Sequence, residues 1–346
     1  MKHLLVLRFS TLGDASMASV VVLSALEQNP DLVISWITRS SVAEYLPKHP
    51  RLRYWTLQST EGIHTPWSVL NWVRVRIREA SAEGLPVDAV ADLQRNLRTQ
   101  VITAGLGWRG IRIERIYKDR TGRRSLRLRG AYRSDELVSV TTRMSEVFQR
   151  LGLAMTWSTE EAQKSLASPI APQIAAPTLL LAPLSRHKTK QWPLESAKKL
   201  GAFWVGRGGN VILLGDEGEK TRLESLVDPA HKDSYRVHTG LTPSEQFDAR
   251  RTAHVAVTLD SPHLHLAVQA GLPVVSVWGG THPKAGFLGL GHPRVDVMQA
   301  PDAAYPCRPC SLFGKNLCPL GDVPCMHAIT PEVVFERAWT VATQGA

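Results

Sequence analysis

Three short loops carry the side chains in this sequence that could do chemistry. One holds Asp14, the second runs from Ser185 to Lys190, and the third begins at Asp260 and Ser261. A carboxylate can act as a general base, whereas lysines, hydroxyls and helix N-termini bind phosphate oxygens. The combination indicates proton abstraction from one substrate and binding of a phosphorylated second substrate.

Asp14 follows a predicted strand over His3–Phe9 and precedes a predicted helix over Ala15–Glu27. Gly13 beside it permits a tight turn and a close approach of the backbone. We therefore expect the carboxylate at the start of the helix. Two interpretations stay open from spacing alone: Asp14 is a general base, or it is simply a helix cap.

The loop that contains Ser185 and Lys190 follows a predicted strand over Thr178–Ala182 and leads into a predicted helix over Leu194–Val205. Hydroxyls and cations crowd this short connection, which suits phosphate oxygens. The alternative is a solvated basic loop without a ligand.

The third loop is the strongest of the local signals. A buried strand predicted over Val255–Leu259 runs into Asp260, and Ser261 and Pro262 suit the N-cap and the first position of a helix. The free N–H groups and the helix dipole would then point at an anion such as a pyrophosphate. His265 lies on the first turns of this helix, where the spacing gives no metal-binding histidine pair.

Strands that alternate with helices predict parallel sheets in an α/β fold, with ligands beyond the carboxyl ends of the strands. We predict one Rossmann-like domain over 1–168 and a second over 178–328, separated by a linker rich in Ala, Pro and Ser within 165–177. The segment 331–346 is predicted to be a C-terminal helix that packs back on the first domain.

The formal net charge of +10 favours an anionic partner, such as a phosphorylated lipid or a membrane surface, over simple solubility. Nucleic acid is disfavoured because aromatic residues are sparse among the basic clusters. No apolar run is long enough to span a bilayer and no cleavage signal is evident, which predicts a cytoplasmic protein. Four arginines in the N-terminal half are the candidate residues that bind this phosphorylated partner, namely Arg95, Arg98, Arg120 and Arg123.

All four cysteines lie within one short segment, at Cys307, Cys310, Cys318 and Cys325. The leading C-x₂-C pair is typical of a zinc knuckle, and the later spacings are compatible with tetrahedral ligation. We therefore predict a structural zinc site, with reduced packing cysteines or local disulfides as the alternatives.

Several of these motifs occur in the order typical of one family. The sequence resembles glycosyltransferase family 9, the ADP-heptose–lipopolysaccharide heptosyltransferases, over nearly its full length. The resemblance rests on the 10–14 loop, Lys190-Gln191-Trp192-Pro193, Gly215 with Glu219, the segment from Asp260 to His265, and Gly280-Thr281-His282-Pro283.

This resemblance implies a GT-B fold, in which two Rossmann-like domains with parallel sheets face a central cleft. It implies inverting transfer of heptose from ADP-heptose to the lipopolysaccharide inner core. It further implies that catalysis needs no cofactor and no metal, and that the enzyme works at the cytoplasmic side of the inner membrane, in peripheral contact with anionic lipid. The acceptor would be the phosphorylated lipopolysaccharide.

Residue by residue, the resemblance assigns the catalytic base to Asp14 and the donor phosphates to Ser185 and Lys190. It further assigns Glu219 to the ribose, Leu241 to the adenine, Asp260 to the heptose hydroxyls, and Ser261 with His265 to the pyrophosphate.

One position departs from the family pattern. Pro262 stands where the family usually has glycine, and proline removes an N–H group that would bind phosphate. The alternatives are therefore a transferase of the same fold with another nucleotide sugar or glycan acceptor, and a non-catalytic protein that binds a nucleotide sugar or lipid. A donor screen separates the first of these, and the presence of both Asp14 and Lys190 argues against the second.

Overall fold

A computed structural model of the chain describes residues 1–58, 65–129, 137–166, 176–288 and 295–344. The chain divides into two compact units. The first comprises Met1–Lys118 and Val140–Ser165, and the second comprises Asp119–Ser139 and Leu166–Ala346. Most of the predicted linker falls at 167–175, outside the described residues.

The first unit contains a five-stranded sheet in the order β3-β2-β1-β4-β5. All of its strand pairs are parallel. The strands are β1 (His3–Leu7), β2 (Val33–Arg39), β3 (Leu52–Leu57), β4 (Ala89–Asp92) and β5 (Arg112–Arg115). The helices in this part of the chain are α1 (Leu12–Gln28), α2 (Ser40–Ala43), α3 (Pro66–Ala82), α4 (Leu97–Gly107), α5 (Arg120–Arg129), α6 (Val140–Arg150) and α7 (Thr159–Lys164).

The second unit contains a six-stranded sheet in the order β11-β10-β9-β6-β7-β8, whose strand pairs are also parallel. Its strands are β6 (Thr178–Ala182), β7 (Asn210–Leu214), β8 (Tyr235–His238), β9 (Val255–Leu259), β10 (Val274–Trp278) and β11 (Val295–Gln299). Its helices are α8 (Leu194–Gly206), α9 (Lys220–Glu224), α10 (Pro243–Arg251), α11 (Pro262–Gln269), α12 (Pro324–His327) and α13 (Pro331–Gln344).

The central strands are mostly apolar and are buried along their whole length. Every residue of β1, β6, β9 and β10 is buried. Strands of this kind read as continuous hydrophobic runs rather than as an alternation. The order of strands reverses direction between β1 and β4 in one sheet and between β6 and β9 in the other, and such points open a crevice at the carboxyl ends.

The structure assigns residues 119–139 to a different unit from the one that the sequence predicted. The sequence analysis placed it in the first domain, but the structure groups it with the second unit. Leu126 and Leu137 pack with Ala285 in one small hydrophobic cluster, and the Leu137 N–H donates to the Lys284 carbonyl at 2.9 Å. Burial of two leucines against the second unit accounts for this assignment.

The C-terminal helix α13 packs within the second unit, where it contacts α8, β9 and β10. Its predicted packing on the first domain stays a prediction. Phe335 packs on Trp204 of α8 with ring centroids 6.1 Å apart, and Val334 and Ala338 are fully buried. None of the helices in the described ranges combines the length and the apolar character that a membrane span requires.

Candidate active site

Asp14 lies in the first turn of α1, immediately beyond the carboxyl end of β1. Its Oδ2 atom accepts hydrogen bonds from the Thr11 hydroxyl at 2.9 Å and from the Thr11 N–H at 3.5 Å. Asp14 therefore belongs to a capping box, which agrees with its interpretation as a helix cap. About a quarter of the side chain, 26%, is exposed, which leaves the carboxylate accessible to a substrate.

Arg8, the residue after β1, forms an ion pair with the Asp14 carboxylate. The guanidinium is largely buried and also donates to the Leu93 carbonyl at 2.7 Å. A fixed cation stabilises the charged carboxylate, and only the charged form can accept a proton. The sequence analysis missed Arg8. An arginine that interrupts the end of an otherwise apolar strand was the available signal.

The end of β4 meets the end of β1 at the point where the strand order reverses. The Gln94 side chain accepts a hydrogen bond from the Phe9 N–H at 2.6 Å, and the buried Asp92 carboxylate accepts from the N–H groups of Gln94 and Arg95 at 3.0 and 2.7 Å. Arg95 adopts a left-handed φ of 49° in this turn. Arg98 lies over the Phe9 ring, so both predicted acceptor cations occur close to the β1 loop.

Arg120 and Arg123, the other two predicted acceptor cations, lie on α5 in the segment that belongs to the second unit. Arg120 is exposed. The Arg123 guanidinium stacks over the rings of Phe287 and Phe313, 5.3 and 5.9 Å from their centroids. Arg123 therefore also serves packing, because a guanidinium on two aromatic faces holds α5 in place.

Lys190 and Asp260 meet in the second unit. Their side chains form an ion pair with 2.8 Å between Nζ and Oδ2, and both are mostly buried, at 14% and 11% exposure. Lys190 ends a 3₁₀ turn after β6, and Asp260 directly follows β9. Because β6 and β9 are neighbours, the pair lies at the second reversal of strand order.

Ser185 stabilises the loop around Lys190. Its N–H donates to the Gln191 side chain at 2.8 Å, and its hydroxyl accepts from the His187 N–H at 3.3 Å. Burial, and then the charges of Lys190, Arg186 and Lys315, lower the pKa of His187. The loop thus presents a positive potential, which is the electrostatic environment that a phosphate requires.

Ser261 is the N-cap of α11 but does not cap the helix with its side chain. Its hydroxyl oxygen is buried and has no hydrogen-bond partner among the described residues, and the same is true of the Thr281 hydroxyl at the end of β10. Buried polar groups are normally paired, so unpaired hydroxyls at the carboxyl edge of a sheet indicate a place for a ligand. His265, predicted to lie beside the pyrophosphate, is buried on the same helix.

Glu219 and Leu241 lie beyond the next two strands of the same sheet. The Glu219 carboxylate accepts from the Asp216 N–H at 3.0 Å and would contact a side chain at Gly215, which explains the glycine at the end of β7. Leu241 follows β8 and packs partly buried against the core beneath α11. The ribose and adenine contacts assigned to these two residues stay predictions.

The segment that contains the cysteines supports the Lys190 turn. The Thr189 hydroxyl donates to the Gly314 carbonyl at 2.9 Å, and the Gly280 N–H donates to the Thr189 carbonyl at 2.7 Å. Ser311 N–H in turn donates to the Gly280 carbonyl at 3.1 Å. Gly314 has a φ of 80°, and a methyl group there would lie 2.7 Å from the Lys190 side chain.

The predicted zinc site is not seen among the described residues and stays a prediction. The described residues contain no group of three or more Cys, His, Asp or Glu side chains placed to hold a metal, and all four cysteines are free. Arg308 lies near the cysteines, and its buried guanidinium donates to the carbonyls of Gly279 and Ala300, each at 2.7 Å. A buried cation beside the cysteines disfavours a divalent cation at the same place.

Burial shifts the pKa values of two of the four cysteines. Burial, and then the charges of Cys318, Cys325 and Cys307, raise the pKa of Cys310 to about 11. Burial also raises the pKa of Cys325, and Arg308 only partly offsets that effect. Both shifts favour the neutral thiol at these two positions.

Comparison with known proteins identifies the family. The model of glycosyltransferase family 9, described as heptosyltransferase, matches residues 86–310. The chain belongs to glycosyltransferase family 9. As a member of this family it is a glycosyltransferase, which confirms the enzyme class predicted from the sequence.

Solved structures of family 9 proteins share the fold. The heptosyltransferase WaaC of E. coli, determined with ADP, is 17% identical over 98% of this chain and 99% of its own, with a TM-score of 0.67. A family 9 protein from Veillonella parvula is 16% identical, with coverages of 99% and 98% and a TM-score of 0.72. The ADP-heptose lps heptosyltransferase II of E. coli is 15% identical, with coverages of 100% and 99% and a TM-score of 0.67.

These matches confirm the predicted GT-B class, with two parallel-sheet α/β domains. No curated protein matches the chain significantly. At identities of 15–17% the solved structures establish the fold, and the substrates of this family 9 member are a separate question.

Proposed function

We propose that this protein transfers a heptose from ADP-heptose to the inner core of lipopolysaccharide. The observation that carries the proposal is the Lys190–Asp260 pair at the carboxyl ends of β6 and β9, beside the unpartnered Ser261 hydroxyl. A lysine beside a carboxylate offers a cation for a diphosphate and an acceptor for sugar hydroxyls. E. coli WaaC, which shares the fold, has been solved with ADP.

In this proposal the donor binds along the carboxyl edge of the second sheet. Leu241 packs on the adenine, and Glu219 accepts hydrogen bonds from the ribose. Lys190, Ser185 and the start of α11 bind the diphosphate, and the charge of Lys190 stabilises the negative charge that develops on the leaving ADP. Asp260 binds the sugar hydroxyls.

Asp14 is the proposed general base. The acceptor hydroxyl gives its proton to the Asp14 carboxylate while its oxygen attacks C1 of the heptose, and the C1–O bond to the diphosphate breaks. Attack from the face opposite the leaving group inverts the configuration at C1. Lys190 and the α11 N-terminus supply the positive charge that a metal ion would otherwise provide, so we propose a metal-independent reaction.

The cationic surface supports a phosphorylated acceptor. Arg95, Arg98 and Arg120 are the proposed contacts to the lipopolysaccharide, and the net charge of +10 favours peripheral binding to the anionic inner membrane from the cytoplasm. Transfer from another nucleotide sugar is the second candidate, and Pro262 is the observation that favours it, because it removes one N–H group at the start of α11.

The test is release of ADP from ADP-heptose in the presence of lipopolysaccharide that lacks heptose, with and without EDTA. The expected result is acceptor-dependent ADP release that EDTA leaves unchanged, with a product of inverted anomeric configuration by NMR. Release only from a different nucleotide sugar would establish the second candidate. Binding of ADP-heptose without turnover on any acceptor would indicate a non-catalytic protein.

A further inference from the structure

His263 occupies the second position of α11, directly after Pro262. Its Nδ1 atom accepts a hydrogen bond from Nη2 of Arg250 at 3.0 Å. Arg250 lies near the end of α10, is only 1% exposed, and also donates from Nη1 to the Gln246 carbonyl at 2.7 Å. The guanidinium is therefore held against the imidazole by the helix that precedes β9.

This contact fixes the tautomer of His263. A guanidinium can only donate hydrogen bonds, so Nδ1 must carry the lone pair and the ring hydrogen must be on Nε2. Burial, and then the charge of Arg250, lower the pKa of His263 to about 3, so the ring is neutral at physiological pH. The fixed tautomer follows from the geometry alone, and the neutral ring agrees with it.

The Nε2–H group is available to a ligand. It has no hydrogen-bond partner within the described ranges and is not a fully buried atom, and the side chain as a whole is partly exposed. An oriented, partly exposed N–H donor on the first turn of a helix is well placed for an anion.

The neighbouring residues indicate what that anion is. Pro262 has no N–H group at the first position of α11, where a helix would otherwise contribute a donor to a bound anion. The buried, unpartnered Ser261 hydroxyl lies at the same helix start and needs a partner of its own. The site thus lacks one backbone donor and gains one side-chain donor a single residue later.

We propose that His263, oriented by Arg250, binds the diphosphate of the donor by donating a hydrogen bond from Nε2 to a phosphate oxygen. The imidazole replaces the backbone N–H that Pro262 lacks. Arg250 acts through His263 and is a positioning residue. The inference rests on the proposed function in one respect, because it requires a nucleoside diphosphate at the start of α11.

Binding of ADP to the full-length protein tests this proposal through three histidine variants. H263L removes the donor and keeps an apolar side chain of similar size, while H263Q keeps an N–H donor at a similar reach. H231L is the matched control, because His231 is an exposed histidine of the same unit whose described bond is to Asp228. Calorimetry at pH 7.5 gives the dissociation constants for ADP, and NMR titration follows adenosine.

The expected result is a loss of ADP affinity of about 10-fold to 100-fold in H263L, the usual effect of one hydrogen bond to a charged group. H263Q should remain within about threefold of the natural protein and H231L should match it. Adenosine binding should be unchanged throughout, because adenosine has no phosphate. Equal ADP affinity of H263L and the natural protein would overturn the inference and leave the proposed function intact.

A spectroscopic measurement on the natural protein keeps the proposal falsifiable if H263L does not fold. A long-range ¹H–¹⁵N spectrum of histidine-labelled protein should show His263 with its hydrogen on Nε2 and should show that signal shift on addition of ADP. A hydrogen on Nδ1, or an Nε2 signal that ADP does not move, contradicts the proposal. Failure of ADP to bind to the natural protein at all would overturn the proposed function, and this inference with it.

Discussion

At the scale of single residues, Asp14, Asp260 and His263 are each held by a cationic side chain. Arg8 holds Asp14, Lys190 holds Asp260, and Arg250 holds His263. Only the Lys190–Asp260 pair brings together two predicted site residues, and the arginines that hold Asp14 and His263 were not predicted. The roles of the individual residues can be separated by substitution.

Asp14→Asn should reduce turnover by roughly 10²–10⁴-fold, the usual contribution of a positioned general base. Asparagine has the same size and can still cap α1, so the donor affinity and the unfolding temperature should change little. The measurement is kcat by ADP release beside calorimetric binding of ADP. The exposed Asp31→Asn variant is the control, and normal turnover in Asp14→Asn would show that this residue is only a cap.

Lys190→Ala should lower kcat/KM for the donor by roughly 10²–10³-fold, because stabilisation of leaving-group charge contributes a few kcal/mol. Lys188→Ala is the matched control, since Lys188 lies in the same 3₁₀ turn but is exposed. Steady-state kinetics at limiting and saturating donor separates binding from turnover. Similar kinetics in the two variants would remove Lys190 from the site.

His263 should also make the stability of the second unit depend on pH. Its pKa is lowered from 6.5 to about 3 by burial and by Arg250 on the adjacent α10, so the unfolded chain binds the proton more tightly than the folded one. The stabilisation is present above pH 6.5 and is lost as the pH falls from 6.5 towards 3. Between pH 7 and pH 5 the free energy of unfolding should fall by about 2 kcal/mol more in the natural protein than in H263L. Equal pH slopes in urea titrations would contradict this pKa.

At the scale of secondary-structure elements, much of the architecture followed from the sequence. The predicted strands at 178–182, 210–214 and 255–259 coincide with β6, β7 and β9, because continuous apolar runs bounded by turn residues have few other solutions. The N-cap of α11 was also predicted, since Ser261 and Pro262 are strong local signals. These features depend on neighbours in sequence.

The features that the sequence did not reveal depend on contacts between distant residues. The cysteine spacing did not reveal the buried Arg308 guanidinium near the cysteines, which binds the carbonyl of Gly279, 29 residues away. The Arg250–His263 bond likewise joins two helices. Spacing shows which side chains share a segment, but not which groups arrive from elsewhere.

Gly314 provides a prediction about the segment that supports Lys190. Gly314→Ala should cost about 1 kcal/mol of stability through its positive φ and should also raise the KM for the donor, because the new methyl group displaces the Lys190 side chain. Gly321→Ala is the control, since Gly321 has a similar φ of 88° and no other atom lies within 4 Å of a Cβ added there. It should lose similar stability and keep a normal KM. Equal KM values in both variants would show that the segment does not position Lys190.

At the scale of the whole molecule, the two units are not consecutive in sequence, because residues 119–139 belong to the second. The predicted boundary missed this assignment because α5 lies between segments of the first unit and is followed by α6, which belongs to that unit. The arginines of α5 predicted a binding surface, but the fully buried Leu126 on the same helix determines where the helix packs.

Leu126→Ala should destabilise the second unit by about 2–5 kcal/mol, the usual cost of a buried leucine. Hydrogen exchange should rise in α5 and around Ala285 while β1 remains protected. Leu128→Ala is the matched control on the same helix, since Leu128 is 68% exposed, and it should change stability by less than about 0.5 kcal/mol. A rise in exchange confined to β1 and its neighbours would contradict the assignment of α5.

The packing of residues 119–139 in the second unit also has a consequence for synthesis on the ribosome. Residues 140–165 follow α5 directly, so the first unit has all of its sequence once Ser165 has emerged. The contact of Leu126 with Ala285 then needs the next 120 residues, which at roughly 5–20 residues per second is a delay on the order of 6–24 s. During that interval a basic helix with an uncovered leucine stays exposed on the nascent chain, available to chaperones and to anionic surfaces before the donor site exists.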